Sequence, residues 1–373
     1  MSDLATRALE RLEYLTALES PSGDVVHLNA LRDALVTKWR ELGLVVTVTP
    51  GAAGDHLVAE WTDENSEGHV LLVTHYDTVW SVGELKRQPF TIDGDVVRGP
   101  GVVDMKSGIV AIELALEELR ASGRTPSRTV RIVCIADEEI SSIDGRRVIE
   151  AAAEGAVAVL GMEPSHPDGD FKSGRRGVAR VLLRVTGKAS HSGLAAGQGI
   201  SAVDELVDLL LDVRRGAPQF DDVAINVGRI SGGTRANVVA GAAEAEVGLR
   251  FREPASEQSL LDFFYGLRVH RDGATLEVVT LSHRPAWPED PNSWLSTLVT
   301  DAARALGDQV SARPAGGAGD TNFTGAMGIP TLDGLGPRGG HAHAVGEYVL
   351  LSSLTGRVQL LVTLLTGDFN LGE

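Results

Sequence analysis

Seven side chains of this sequence have the types and spacing for metal chemistry: His75, Asp77, Asp104, Glu138, Glu139, Glu163 and His343. Imidazole with carboxylate is a donor set that favours zinc and also suits cobalt or manganese. In His75-Tyr76-Asp77 two groups two residues apart face one side of an extended segment. A metal-bound histidine hands its second ring proton to a carboxylate or carbonyl, and Asp77 is spaced to receive it. Glu138 and Glu139 are adjacent acids, which repel unless cations or protons compensate. One can ligate while the other serves as general base, and the residues alone leave open which does which. Glu163 is held extended by Pro164, and a C-terminal loop offers His341 and His343. Paired ions in hydrolases stand about 3.5–4 Å apart and share a water, and each zinc takes about four ligands. The set is read as converging on two metal ions with Asp104 between them.

The elements that must position these groups are legible around Gly99-Pro100-Gly101-Val102-Val103-Asp104-Met105-Lys106-Ser107-Gly108, where glycines and a proline punctuate the backbone. Helical periodicity covers 5–19 and 26–43, with Ser22 expected to cap the second helix. Strands are expected at 44–49 and 56–61. The unbroken apolar runs 70–75, 129–136 and 156–162 read as strands buried on both faces, as in a parallel sheet. Each ends in polar candidates: His75, Asp137-Glu138-Glu139 and Glu163. In open α/β sheets, sites form beyond the carboxyl ends of the strands. Helices are expected at 106–122 and 144–153.

After Glu163 the texture changes. Strands at 178–186, 223–230, 243–251 and 274–281 alternate with helices at 200–214 and 256–268, a βαββαβ order that suits a small α+β sandwich. The α/β texture returns after about residue 287, with helices at 294–306 and 350–366, a strand at 329–332 and glycine-rich loops. The expected organisation is 1–177, first part of a mixed or parallel-sheet α/β catalytic domain; 178–287, the insertion; and 288–373, the second part.

A length of 373 residues fits two or three domains. The net charge of −17 argues against a general nucleic-acid surface, though not against a small anionic substrate. Cys134 is the single cysteine and lies in an apolar run, so a buried, inert thiol is expected. The N-terminal stretch lacks the basic start and cleavage site of a signal peptide. No apolar run reaches the roughly 18 residues that span a membrane, so a cytoplasmic protein is expected.

The chain resembles the M20 metallopeptidases, and within them the glutamate carboxypeptidase-like branch. The resemblance rests on Thr74-His75-Tyr76-Asp77-Thr78-Val79, Gly99–Lys106, Asp137-Glu138-Glu139, Glu163-Pro164, Gly187-Lys188-Ala189-Ser190-His191-Ser192-Gly193, Gly232-Gly233-Thr234-Arg235-Ala236-Asn237-Val238-Val239 and Ala342-His343. It implies two zinc ions, one held by His75, Asp104 and Glu163 and the other by Asp104, Glu139 and His343. It further implies Glu138 as the base, Asp77 as the group orienting His75, and a cis peptide between Asp104 and Met105. The inserted domain would form a homodimer, with His191 reaching the partner's site to stabilise an oxyanion. Asn237 and Arg250 would hold the substrate's free carboxylate. Lys172 and Arg284 stand where the branch has basic residues near the pocket. Two departures are Gly248, where members often carry Asp two residues before the arginine, and Ala344-Val345-Gly346 after His343. The expected activity is hydrolysis of a peptidyl or N-acyl amino acid with a free C-terminal carboxylate. An N-acyl-amino-acid deacylase and a catalytically inactive metal-binding protein are the alternatives.

Overall fold

The computed structural model describes residues 2–62, 67–290 and 293–367. The chain divides into two compact units: Met1–Gly174 with Glu289–Ala315 and Gly319–Glu373, and Arg175–Pro288 with Gly316–Ala318.

The first unit runs α1 (Asp3–Ala17), α2 (Val25–Glu41), β1 (Val45–Thr49), β2 (His56–Trp61), β3 (His69–His75), α3 (Glu84–Arg87), β4 (Thr91–Asp93), β5 (Val96–Arg98), α4 (Ser107–Ala121), β6 (Thr129–Ile135), α5 (Gly145–Ala153), β7 (Ala156–Gly161) and β8 (Phe171–Arg175). Its six-stranded sheet has the order β1-β2-β6-β3-β7, then a short strand at Thr331–Leu332. The β1/β2 and β2/β6 pairs are antiparallel, whereas β6, β3, β7 and Thr331–Leu332 run parallel. Strand β3 shows why its sequence reads as a continuous apolar run. Val70 and Leu72 join a core with Leu12 of α1, Leu31 of α2 and Ile112 of α4. Leu71 and Val73 join the opposite core with Ile149 of α5 and Phe323. Helices thus cover both faces, a three-layer α/β architecture.

The second unit comprises β9 (Gly177–Thr186), β10 (Ser190–His191), α6 (Ala202–Gly216), β11 (Ala224–Gly232), β12 (Val238–Val239), β13 (Ala242–Phe251), α7 (Pro254–Tyr265) and β14 (Thr275–Arg284). Its main sheet is antiparallel in the order β11-β13-β9-β14. Ala179, Val181, Leu183 and Val185 alternate inward from β9 onto Leu206 and Leu209 of α6 and Leu260 and Phe264 of α7. Arg180 and Arg184 on the other face pair with Glu246 and Glu277 across the strands. The chain then completes the first unit with α8 (Trp294–Ala305), β15 (Ala312–Ala315), α9 (Thr321–Ala326), β16 (Thr331–Leu332), β17 (Gly339–Gly340), β18 (Tyr348–Leu350) and α10 (Leu351–Thr366). Strands β17, β18, β5 and β4 make a separate small sheet.

One expectation is corrected. Ser22 does not cap α2; Asp24 does, its side chain accepting from the His27 N–H. Ser22 Oγ instead donates to Asp77 Oδ2 at 2.7 Å. The β4/β5 hairpin, β8, β15 and α9 are additions to the elements read from the sequence. No helix among the described residues is long and apolar enough to cross a membrane.

Candidate metal centre

Parallel pairing aligns the carboxyl ends of three neighbouring strands. His75 closes β3 opposite Ile135 of β6, and the Tyr76 N–H reaches the Ile135 carbonyl at 3.0 Å. Two residues beyond β6 a 3₁₀ turn, Glu138–Ile140, presents Glu138 and Glu139. On the other side β7 leads through Met162, whose N–H donates to the Val73 carbonyl, into Glu163. Asp104 arrives differently, from a kinked turn, Val102–Lys106, that runs into α4 and in which Asp104 (φ −118°, ψ 95°) is not helical. Gly101 opens this turn at φ +72°, a left-handed conformation that favours glycine. An added Cβ there would also sit 2.7 Å from Thr78 Cγ2. The Asp104–Met105 peptide is cis. His343 lies in the turn after β17, itself at φ +63°.

The side chains meet around Asp104. His75 Nε2 is 3.2 Å from Asp104 Oδ1 and 3.4 Å from Glu163 Oε1. His343 Nε2 is 3.1 Å from Asp104 Oδ2 and 3.0 Å from Glu139 Oε2. The two oxygens of one carboxylate therefore face two imidazoles, each with an acid of its own. Two donors bound tetrahedrally to zinc at roughly 2.0–2.1 Å stand about 3.3 Å apart. The spacings of 3.0–3.4 Å found in both clusters fit donors converging on shared cations. Ligand atoms of His75, Asp104 and Glu139 also lie within 4.8 Å of one another.

His75 is oriented from behind. Its Nδ1 is 3.0 Å from the Asp77 carbonyl and 3.3 Å from Asp77 Oδ1. The fully buried Asp77 carboxylate also accepts the N–H groups of Glu138 (3.1 Å, Oδ1) and Glu139 (3.2 Å, Oδ2). One carboxylate thus fixes an imidazole and the turn carrying both glutamates.

The electrostatics follow from this crowding. Burial pulls the His75 pKa down, but hydrogen bonds to Asp104, Asp77 and Glu163 outweigh it and the net shift is well upward. Hydrogen bonds to Asp104 and then Glu139 raise His343 to about 11. Burial would raise Asp104, yet its hydrogen bonds to His343 and His75 hold it below the usual carboxylate range. Burial raises Glu139. In the polypeptide alone this acid-rich cluster favours protonated imidazoles. Divalent cations bound there would supply the same positive charge and release those protons.

The remaining candidates sort by unit. Lys172, in the first unit, has its backbone paired with Asp333. His191, Asn237, Arg250 and Arg284 lie in the second. His191 sits opposite Val238 in the β10/β12 pair, and the adjacent Asn237 carbonyl accepts the Ser192 N–H at 3.0 Å. The exposed His191 ring accepts N–H groups of Gly193 and Leu194 at Nδ1, both at 3.1 Å, which leaves the proton on Nε2 as an outward donor. Arg250 and Arg284 both pair in register with Val178 from opposite sides, so they share one face of the sheet. Arg250 is exposed, while Arg284 is 7% exposed.

Residues outside the expected site also reach it, among them Ser22, through Asp77, and Glu347, whose carboxylate accepts the Asp104 N–H at 3.1 Å. No neighbour in sequence signals Ser22, and Glu347 figures in the sequence only as the start of Glu347-Tyr348-Val349, whose family spacing picks out His343 over His341.

Residues 71–367 match the family model for peptidase family M20/M25/M40. The chain belongs to this family. Over 375 residues it is 28% identical to carboxypeptidase G2 of Pseudomonas sp. (strain RS-16), covering 98% of this chain and 90% of that protein. It is 29% identical to the succinyl-diaminopimelate desuccinylase of Gluconacetobacter diazotrophicus over 319 residues, 82% of this chain and 79% of the other. A dinuclear metal-binding M20 peptidase of Bacillus subtilis shares the fold, with a TM-score of 0.68 and 18% identity over 97% of this chain and 98% of the other. The protein is a hydrolase of the M20 peptidase family.

Proposed function

We propose that this M20 enzyme hydrolyses the amide bond of a peptidyl or N-acyl amino acid with a free C-terminal carboxylate, as a glutamate carboxypeptidase-like exopeptidase. The observation that carries the reading is the division of Asp104: one oxygen faces His75 with Glu163, the other His343 with Glu139. His75, Asp104 and Glu163 would hold one zinc ion, and Asp104, Glu139 and His343 the second, with Co²⁺ or Mn²⁺ as substitutes. When bound, the pair supplies Lewis acidity toward the scissile carbonyl and acidifies a water.

The chain's own groups do the rest. Glu138 takes the proton of the attacking water and passes it to the leaving amine. Its backbone is clamped by Asp77, beside the ligand Glu139. In the homodimer, His191 reaches the other subunit's site and donates from Nε2 to the developing oxyanion there. Arg250 and Asn237 hold the substrate carboxylate, Arg through its planar fork. A basic side chain, Lys172 or Arg284, accepts a second carboxylate on a glutamate side chain. The likeness to carboxypeptidase G2 across 98% of the chain supports this substrate class. The second unit serves as the dimerisation domain of a cytoplasmic homodimer, its boundaries near 178 and 287.

A second reading, an N-acyl-amino-acid deacylase, is favoured by the likeness to a desuccinylase. A panel of C-terminal glutamyl, other peptidyl and simple N-acyl substrates on zinc-loaded enzyme separates the two. For the mechanism, Glu138→Ala is expected to lower kcat by about 10²–10⁴-fold while still binding two ions. Near-normal turnover in the metal-replete variant would overturn the base assignment.

A further inference from the structure

Glu347 is a carboxylate only 1% exposed, and the turn that carries Asp104 is wrapped around it. Its Oε1 accepts the N–H groups of Val103 at 2.8 Å and Asp104 at 3.1 Å. Its Oε2 accepts the Gly101 N–H at 2.8 Å and the Trp80 indole N–H at 2.6 Å. Its backbone carbonyl takes the Gly99 N–H at 3.2 Å, and the next residue, Tyr348, pairs with Arg98 in the β18/β5 ladder. Glu347 also ends the loop that begins beyond β17 and carries His343 four residues upstream. Little else ties that loop down near its tip: the His343 side chain is about half exposed. Its further anchors include the Ala344 N–H on the His341 carbonyl, the Gly346 N–H on Gln88 Oε1 and the Gly346 carbonyl, which accepts from Arg98 Nη1 at 3.3 Å.

We infer that Glu347 is a positioning residue that fixes the Asp104 turn and the His343 loop relative to each other. It thereby sets the affinity of the ion site formed by Asp104, Glu139 and His343 more than that formed by His75, Asp104 and Glu163. This rests on the two-ion reading given above. The asymmetry has a structural cause. His75 and Glu163 are delivered by the ends of β3 and β7, adjacent strands of the parallel sheet, and Asp77 holds His75 independently. His343 is delivered instead by the turn between the short strands β17 and β18, outside the parallel sheet, and its placement relative to Asp104 passes through Glu347. All four donors point at the two carboxylate oxygens, so Glu347→Gln must set an NH₂ against two of them whichever way the amide turns. The substitution keeps side-chain volume and removes the clamp.

The test is titration of Co²⁺ into chelator-stripped wild type, Glu347→Gln and Trp80→Phe, read by calorimetry and by the visible absorption of bound cobalt. Wild type is expected to bind two ions. In Glu347→Gln the tighter ion stays within about threefold of wild type while the second weakens by about 10–100-fold, the usual range for loss of a partner supporting a ligand. Excess metal should then restore much of kcat with KM little changed. Trp80→Phe deletes one of four donors and leaves the carboxylate, so a smaller loss confined to the second ion is expected; this variant decides if Glu347→Gln does not fold. Two ions with wild-type affinities in the folded variants, or equal weakening of both, would overturn the inference with the two-ion reading intact. Fewer than two ions in wild type would overturn the two-ion reading itself.

Discussion

Asp77 meets four donors with its two oxygens: His75 Nδ1 and the Glu138 N–H on one, the Glu139 N–H and Ser22 Oγ–H on the other. A carboxylate accepts all four; an amide accepts at one end and donates at the other. Asp77→Asn therefore sets an NH₂ against two donors in a buried site, where an unmet group costs about 1–3 kcal/mol. The damage should reach the chemistry, because the same side chain aims His75 and holds the turn of Glu138 and Glu139. Metal affinity is expected to fall by about 10–100-fold, with kcat falling in metal-saturated enzyme as well. Ser22→Ala removes one donor and leaves the other three, so its effect should be several-fold smaller. Wild-type metal affinity in Asp77→Asn would mean that the carboxylate does not support the ligands. His75-x-Asp77 was legible because both partners belong to one strand end. Ser22 lies 55 residues away, and nothing in local periodicity marks a hydroxyl that acts on a distant carboxylate. Its position just ahead of α2 made a cap the natural expectation, yet Asp24 takes that role.

Helix α4 is the element through which packing controls the site. Gly108 lies in its first turn, and an added Cβ there would stand 2.5 Å from the Met162 carbonyl and 2.9 Å from Met105 Cε. Met162 precedes Glu163, and Met105 follows Asp104. Gly108→Ala should push the Asp104 turn away from the β7 exit, costing about 1–3 kcal/mol as overpacking does and weakening metal binding. Gly356 in α10 is the control: nothing lies within 4 Å of a built Cβ. There alanine should stabilise by about 0.5–1 kcal/mol through helix propensity. Urea denaturation of the metal-free variants measures both signs. A Gly108→Ala variant as stable as wild type would show that α4 can shift without disturbing the site. The same contrast explains what could be read in advance. Strands β3, β6 and β7 announce themselves because helices on both faces demand unbroken apolar runs. The three-residue strands of the β4/β5 hairpin are too short for alternation to register, although Asp93-Gly94 is a turn signal and Gly94 sits at φ +60°. The role of Glu347 was hidden for a related reason: it bonds backbone amides, which every residue has.

Across the whole molecule a net charge of −17 means that protons and cations compete for a chain already rich in acid. At the candidate metal centre the competition has a definite sign. In the metal-free protein His343 is raised from an ordinary 6.5 to about 11, chiefly by Asp104 and Glu139. A raised pKa stabilises the fold fully below the ordinary value, and the contribution is lost as pH climbs through about 11. Asp104 is lowered, so its contribution is present above the ordinary carboxylate value and is lost as pH falls through its folded value. Metal binding responds in the opposite sense to His343, because imidazole must shed its proton to ligate, so affinity rises with pH. The stability gap between metal-loaded and chelator-stripped protein should therefore widen from pH 5.5 to pH 8, through both looser apo protein and tighter metal binding. Thermal melts at fixed free Zn²⁺ across that range measure the gap. Zinc calorimetry at pH 7 in two buffers of different ionisation enthalpy should report net proton release. A gap that stays constant or narrows toward pH 8, with no proton released, would mean that His75 and His343 do not exchange protons for metal and that the acids alone hold the ions.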